Sequence, residues 1–234
     1  MVNIMQPKRP LKLSKYAVVC LQALSDSGLG HKLSLGGAVG LMHYLEYRPT
    51  YDVDAWWEDD ASSEERYQIV NLLERTLQPF GEVQTRTWGD VVSIELRKEG
   101  RTVFSFQIAQ RSTQLRPSQY SPLGDFLLDS FDDLIASKMV ALVERGAPRD
   151  FRDIFSLCQE GIITPARCWQ FWRQRQKMAG ADTASERARL AIATHLARIE
   201  QHRPLDQIDN QSERQMAEKV RAWFKTVFIT AADI

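Results

Sequence analysis

Apolar positions along the chain follow two periods, and the switches between them mark out its elements. Between Ser14 and about Ser27, Tyr16, Val19, Cys20, Ala23 and Leu24 recur at helical spacing, and Gly28 and Gly30 close the helix. Residues 1–12 are polar and basic with two prolines and read as a loose arm. Lys32-Leu33-Ser34-Leu35 reads as a strand feeding a Gly36-Gly37 turn and a short helix. Past the corner at Pro49, Asp52-Val53-Asp54 alternates as a strand does, and Trp56-Trp57-Glu58-Asp59-Asp60 reads as an acidic loop. Ser62 or Ser63 is placed to cap the next helix, with Glu64 and Glu65 in its first turn and Ile69, Leu72, Leu73 and Leu77 on its inward stripe. Period two returns in Val83–Trp88, Asp90–Arg97 and Thr102–Ala109, with Gly89 and Lys98-Glu99-Gly100 as turns. Residues 111–124, with two prolines and a glycine, read as a linker or active-site loop. From Asp125 onward the pattern is almost wholly helical, with breaks at Gly146-Ala147-Pro148, Gly161, near Gly180 and at Arg203-Pro204. The order predicts an α+β chain: a mixed sheet with flanking helices in residues 1–120, and a helical C-terminal region, residues 121–234, packing on that core.

Composition narrows the class. At 234 residues, with 44% hydrophobic and 26% charged positions, the chain suits a globular core with a helical annex. The formal net charge is zero but unevenly spread. Residues 46–65 hold eight acids against one base, whereas from Pro165 on twelve Lys and Arg face eight Asp and Glu. An acidic cluster suits a metal site, and a mildly basic tail suits either a polyanionic partner or solvated helix faces. Cys20, Cys158 and Cys168 are scattered and the four histidines show no metal-ligand spacing, which predicts reduced, packed thiols. No signal peptide and no apolar run of roughly 20 residues is visible, so a cytoplasmic protein without membrane association is expected.

The chemistry concentrates at Gly36-Gly37 and Asp52-Val53-Asp54. In a strand, side chains two apart share a face, so Asp52 and Asp54 project together roughly 7 Å apart while Val53 points the other way. Alternating acids also suit the solvated face of an edge strand. The glycines beside them favour a different use. Two such carboxylates can hold Mg²⁺, which takes oxygen ligands and keeps waters and phosphates in its shell. Glycines let backbone N–H groups approach a phosphate, and a helix start adds its positive dipole end.

At these residues the chain resembles the nucleotidyltransferase superfamily, and within it the AbiEii/AbiGii-type toxin nucleotidyltransferases. The resemblance rests on four pieces in order: Gly36-Gly37; Arg48-Pro49-Thr50-Tyr51-Asp52-Val53-Asp54; Lys138 in Ala136-Ser137-Lys138-Met139; and Arg149-Asp150-Phe151-Arg152-Asp153. It implies a nucleotidyltransferase-like fold, and Mg²⁺-dependent transfer of a nucleotidyl group from an NTP to an acceptor hydroxyl, with RNA or the end of a tRNA as the acceptor it suggests. It also implies a bacterial toxin–antitoxin or phage-defence setting and a cognate antitoxin. Asp52 and Asp54 would hold the metal, Lys138 would offset phosphate charge, and Asp150 would join the catalytic set. Gly36, Gly37, Arg48, Thr50, Gln107 and Asp153 would line the substrate site.

The residues themselves keep alternatives open. Lys138 is centred on the apolar stripe Leu134–Lys138–Leu142, so its ammonium either snorkels out, joins an internal ion pair or meets a substrate phosphate. The resemblance favours the phosphate. Asp150 stands in a first helical turn, where the helix dipole stabilises an acid in any case. Asp153 lies opposite the Phe151/Ile154/Phe155/Cys158 stripe and by pattern alone would be exposed. Trp56 and Trp57 would either stack on a base or be buried at a sheet end, and the Trp169/Trp172/Trp223 aromatics among arginines suit single-stranded RNA or a bundle core. One departure stands out: the third carboxylate usual in metal-using relatives falls on Gln107, with Glu95 as substitute from the neighbouring strand. That leaves a second expectation, a catalytically degenerate member that binds nucleotide or a partner. A third is an interaction protein using its acidic loop and basic helices.

Overall fold

The structure, a computed structural model, describes residues 6–233. Of the expected N-terminal arm, residues 1–5 lie outside the described residues. Residues 6–12 form no helix or strand, but the Lys8 N–H donates to the His43 carbonyl at 2.7 Å and the Leu11 N–H to the Glu46 carboxylate. Two compact units follow, Met1–Leu134 and Ile135–Ile234.

The first unit is built on seven strands, β1 (Leu33–Leu35), β2 (Asp52–Trp57), β3 (Glu82–Trp88), β4 (Val91–Lys98), β5 (Arg101–Gln110), β6 (Gln119–Tyr120) and β7 (Leu127–Leu128). They lie in one sheet in the order β3-β4-β5-β2-β1-β7-β6. Pairing is parallel between β5 and β2 and between β1 and β7, and antiparallel elsewhere. The mixed α+β architecture is the one the pattern predicts.

Alternation decides the faces. Leu33, Leu35, Val53, Ala55, Trp57, Ile94, Leu96, Phe104, Phe106 and Ile108 are buried in one cluster with Ala17, Cys20, Leu21 and Leu24 of α1 (Lys15–Asp26) and Ile69, Leu73 and Leu77 of α3 (Ser63–Leu77). Each large side chain so buried contributes about 1.5–3 kcal/mol. α1 starts where the Ser14 hydroxyl accepts the Ala17 N–H at 3.1 Å, and α3 starts on a reciprocal Ser62–Glu65 capping box. The opposite face of the sheet carries Ser34, Asp52, Asp54, Trp56, Ser93, Glu95, Ser105 and Gln107, and this polar face holds the candidate site.

Two expectations need correction. Trp56 and Trp57 belong to β2 and not to an acidic loop, because Trp57 fills the helix-packed face at 5% exposure while Trp56 is anchored on the other. The expected linker, residues 111–124, contains β6, and the stretch expected to be helical from Asp125 opens with β7; each is two residues long and too short to show a period. The loop leading to them is pinned by the buried Asp133, whose carboxylate accepts the Leu115 and Arg116 N–H groups at 2.7 and 3.0 Å.

Helix α4 (Phe131–Glu144) runs from the first unit into the second, which continues with α5 (Pro148–Gln159), α6 (Pro165–Met178), α7 (Ser185–His202) and α8 (Gln211–Trp223). Its core is aromatic. Phe151 meets Phe224 at 4.7 Å between ring centroids, Phe155 meets Trp223 at 5.4 Å, and Trp169 packs on Trp172 and Phe228 while donating its indole N–H to the Phe228 carbonyl. Trp169, Phe171 and Trp172 are buried, so these rings form a bundle core and are not free stacking platforms. No described helix is long and apolar enough to cross a membrane.

Candidate active site

Asp52 and Asp54 project from the polar face of β2 and are half-buried, with Val53 and Ala55 buried between and beyond them. Register extends each across the sheet. Asp52 stands beside Ser105 and, one strand further, Glu95; Asp54 stands beside Gln107 and then Ser93. Gln107 therefore occupies the neighbouring-strand position next to Asp54, where a third carboxylate would stand. Glu95 lies two strands from Asp52 and is engaged by Thr102 at 3.2 Å and Arg86 at 3.9 Å. Gln107 is loosely held, its amide 3.5 Å from the Ser105 hydroxyl, and the buried Ser93 hydroxyl has no hydrogen-bond partner.

The glycine turn is shaped by the acids beside it. Gly36 continues the β1–β2 ladder, its N–H donating to the Asp54 carbonyl at 2.9 Å, and α2 (Gly37–Met42) begins at the next residue. Gly37 has φ +54°, and a Cβ there would come within 1.9 Å of Asp54 Oδ2 and 2.8 Å of its Cβ. The Asp54 carboxylate thus sits against the α-carbon of Gly37, a position open only to glycine. Since the Gly36 N–H is engaged, the N–H groups of Gly37, Ala38 and Val39 are the ones a helix start leaves without an i−4 acceptor.

Thr50 is buried and its hydroxyl donates to Asp52 Oδ1, which orients that acid without exposing the threonine to a ligand. Arg48 is half-buried, with its guanidinium bonded to the Pro49 carbonyl at 3.2 Å and lying beside the Tyr47 ring.

Sequence reasoning missed two residues on this face. Asp129, just past β7, is 1% exposed and accepts the Trp56 indole N–H at 2.8 Å. Its other oxygen lies 2.7 Å from the Arg111 guanidinium, which also bonds Ser34, pairs with Glu58 at 3.6 Å and lies over the Trp56 ring at 5.9 Å. Burial pushes the Asp129 carboxyl up to about 6, against the pull of Arg111 and the Trp56 N–H and with a further push from Asp133. In sequence Asp129 looks like an ordinary acid at the entry to a helix. Only the pairing of two short strands brings it to Trp56, so no local signal could have found it.

The remaining predicted residues belong to the second unit and come together there. Lys138 is 7% exposed, and its ammonium lies 2.8 Å from Asp153 and 3.7 Å from Asp150. Asp150 is held in turn by a bidentate Arg145 at 2.9 and 3.0 Å. Both acids are fully buried, which corrects the exposed position expected of Asp153; it is buried because it pairs with Lys138. Of the three fates open to Lys138, the internal ion pair is present.

Among the described residues no group of three or more His, Cys, Asp or Glu is arranged to hold a metal ion. Two half-buried carboxylates on one strand face, with a neutral amide in register, remain a donor set that suits Mg²⁺, since that ion is commonly bound by one or two carboxylates plus substrate phosphates. An open groove of about 370 Å³ lies on the helix-packed side, lined by residues including Trp57, Tyr67, Val70 and Thr85, and none of the candidate residues lines it.

Among curated proteins, none matches the chain. Solved structures share its fold, two of them from Helicobacter pylori. JHP933 from Helicobacter pylori superposes with a TM-score of 0.51 at 14% identity, covering 94% of this chain and 95% of that one. A candidate nucleotidyltransferase from H. pylori gives 0.52 at 14% identity, covering 94% and 98%. At that identity the likeness is one of fold alone. The family described as "Nucleotidyl transferase AbiEii toxin, Type IV TA system" matches residues 19–221, spanning the glycine turn, both strand acids and the Lys138 network, and the chain belongs to this AbiEii nucleotidyltransferase toxin family.

Proposed function

We propose that the chain is a Mg²⁺-dependent nucleotidyltransferase acting as the toxin of a bacterial toxin–antitoxin pair. The observation that carries this reading is the seating of the Asp54 carboxylate on Gly37, with Asp52 on the same strand face. Acid and backbone donors for an anion are then within one turn of each other. In the proposed reaction an acceptor hydroxyl oxygen bonds to the α-phosphorus of an NTP, the α–β phosphoanhydride bond breaks, pyrophosphate leaves and the hydroxyl proton passes to solvent water. Asp52 and Asp54 would hold the metal, which when bound offsets charge on the triphosphate and polarises its phosphorus. Thr50 holds Asp52 in orientation, and the Gly37 and Ala38 N–H groups would face the phosphates.

Family membership supports assigning Lys138 and Asp150 to the catalytic set and Arg48, Gln107 and Asp153 to substrate contacts. It likewise supports an RNA acceptor such as the end of a tRNA, a cognate antitoxin as partner and a cytoplasmic setting. Because Lys138 is paired with two carboxylates, the role that suits it is donation of directed hydrogen bonds more than supply of net charge.

The test is the double variant Asp52→Asn/Asp54→Asn, assayed for Mg²⁺-dependent pyrophosphate release with each NTP. Release at the wild-type rate from the folded variant refutes the assignment. Gln107 beside Asp54 favours one second reading, a degenerate member that binds NTP without turning it over. Calorimetry with NTP and Mg²⁺ separates the two: binding with no pyrophosphate formed supports the degenerate reading, and release rules it out.

A further inference from the structure

We propose that Asp129 is the positioning residue of the Gly36-Gly37 turn, its carboxylate clamping the Trp56 indole over Gly36 and so setting where the turn meets Asp54. The clamp depends on the proposed function only for what the turn receives; its own basis is geometry.

The Asp129 N–H donates to the Leu35 carbonyl at 3.0 Å, extending the β1–β7 pairing to the residue before the turn. Its side chain then crosses to β2, where it accepts the Trp56 indole N–H at 2.8 Å. Its second oxygen meets Arg111, the first residue past β5. One buried carboxylate therefore ties together the ends of β7, β1, β2 and β5 on the face that carries Asp54. Arg111 cannot easily swing away, since Ser34, Ser118 and Glu58 hold the same guanidinium.

Gly36 transmits the clamp. A Cβ at Gly36 would stand 2.6 Å from Trp56 Nε1 and 3.4 Å from Asp129 Oδ2, so the indole–carboxylate hydrogen bond lies directly over its α-carbon. Gly36 donates to the Asp54 carbonyl and Gly37 carries the Asp54 carboxylate. The two glycines are therefore required by two different contacts, Gly36 by the Trp56–Asp129 link and Gly37 by Asp54. A displaced indole shifts the turn, and the turn shifts Asp54.

A simpler role, neutralising Arg111, makes different predictions. Asp129→Asn keeps an acceptor for the indole but removes the charge facing Arg111. Trp56→Phe keeps a ring but removes the N–H. Asp129→Ala removes both side-chain contacts and keeps the backbone bond to Leu35.

The experiment follows the Gly36 and Gly37 amide signals in ¹⁵N spectra of the full chain, together with NTP affinity in Mg²⁺. The clamp requires Trp56→Phe and Asp129→Ala to shift both glycine signals alike, with Asp129→Asn shifting them less. It also requires each of the first two to weaken NTP binding about tenfold, and the double variant to weaken it no further, as for two ends of one hydrogen bond. Unmoved glycine signals in folded Trp56→Phe, or losses that add in the double variant, overturn it. Should Asp129→Ala fail to fold, Trp56→Phe decides through NTP affinity and the double variant, because it removes the indole N–H while leaving the Asp129 carboxylate on Arg111. If the wild type binds no NTP, the proposed function falls while the glycine signals still judge the clamp.

Discussion

The two acidic pairs of this chain look alike in sequence and differ in physical state. Asp52 and Asp54 are half-buried on a polar sheet face. Asp150 and Asp153 are fully buried and balanced by Lys138 and Arg145. The first arrangement leaves its carboxylates partly exposed; the second buries charge against charge within the helical unit. Substitution therefore reports chemistry in the first region and mixes chemistry with folding in the second.

Lys138→Ala is the sharpest way to break that contrast. It takes the ammonium from between the buried Asp150 and Asp153 while Arg145 stays on Asp150, and removing one side of a buried ion network costs about 3–5 kcal/mol. Urea unfolding is expected to show that loss whether or not nucleotide is present. A variant within about 1 kcal/mol of wild type would mean that the network relaxes and that Lys138 is free for a purely catalytic role.

Asp129 gives the next largest effect, and its sign depends on pH. Its carboxyl is raised from 3.8 to about 6, so the fold favours the protonated form. The associated stability is fully present below the unfolded value near 3.8 and is lost as pH rises through about 6. A rise of that size corresponds to about 3 kcal/mol. Arg111 and Asp133 are the charged groups acting on it, with Glu58 behind Arg111. Asp129→Asn does not titrate, so its stability relative to wild type is expected to rise between pH 4 and pH 8 by an amount of this order. Parallel wild-type and variant curves in urea titrations across that range would show the carboxyl to titrate at its ordinary value.

Gly37→Ala sharpens the comparison on the sheet side. The new methyl would enter the space of the Asp54 carboxylate at a φ of +54°, which is expected to cost about 1–3 kcal/mol and to displace Asp54. Thermal unfolding measures the cost. An alanine variant with wild-type stability and NTP affinity would mean that the turn accommodates the methyl without moving the acid.

How much of the molecule is legible in its sequence depends on the range of the contacts involved. α1, α3 with its Ser62 cap and the β3–β4–β5 meander announce themselves through local periodicity and turns, and they form where the pattern puts them. The shared face of Asp52 and Asp54 follows from strand geometry alone. β7 does not announce itself, because two leucines carry no period and their strand character comes from β1. Asp129 and Arg111 depend on that same long-range pairing. Asp153 defeats the helical wheel for a related reason: an apolar stripe predicts which side is greasy, but a buried ion pair can hide the other side as well.

The smallest expected change in stability belongs to the double variant Asp52→Asn/Asp54→Asn, and that is what makes it decisive. Asparagine matches aspartate in shape and keeps the Oδ1 acceptor that the Thr50 hydroxyl uses. At half-buried positions the substitution is expected to alter stability by less than about 1 kcal/mol. Divalent-ion affinity, by contrast, depends directly on the carboxylate charge, so Mg²⁺-dependent pyrophosphate release should disappear. Thermal unfolding and the release assay on one preparation measure both quantities. Loss of release with the melting transition unchanged assigns the chemistry to these two acids. A melting transition lowered as far as that of Lys138→Ala would show that Asp52 and Asp54 hold the sheet together, and the distinction between an accessible and a structural acid pair would collapse.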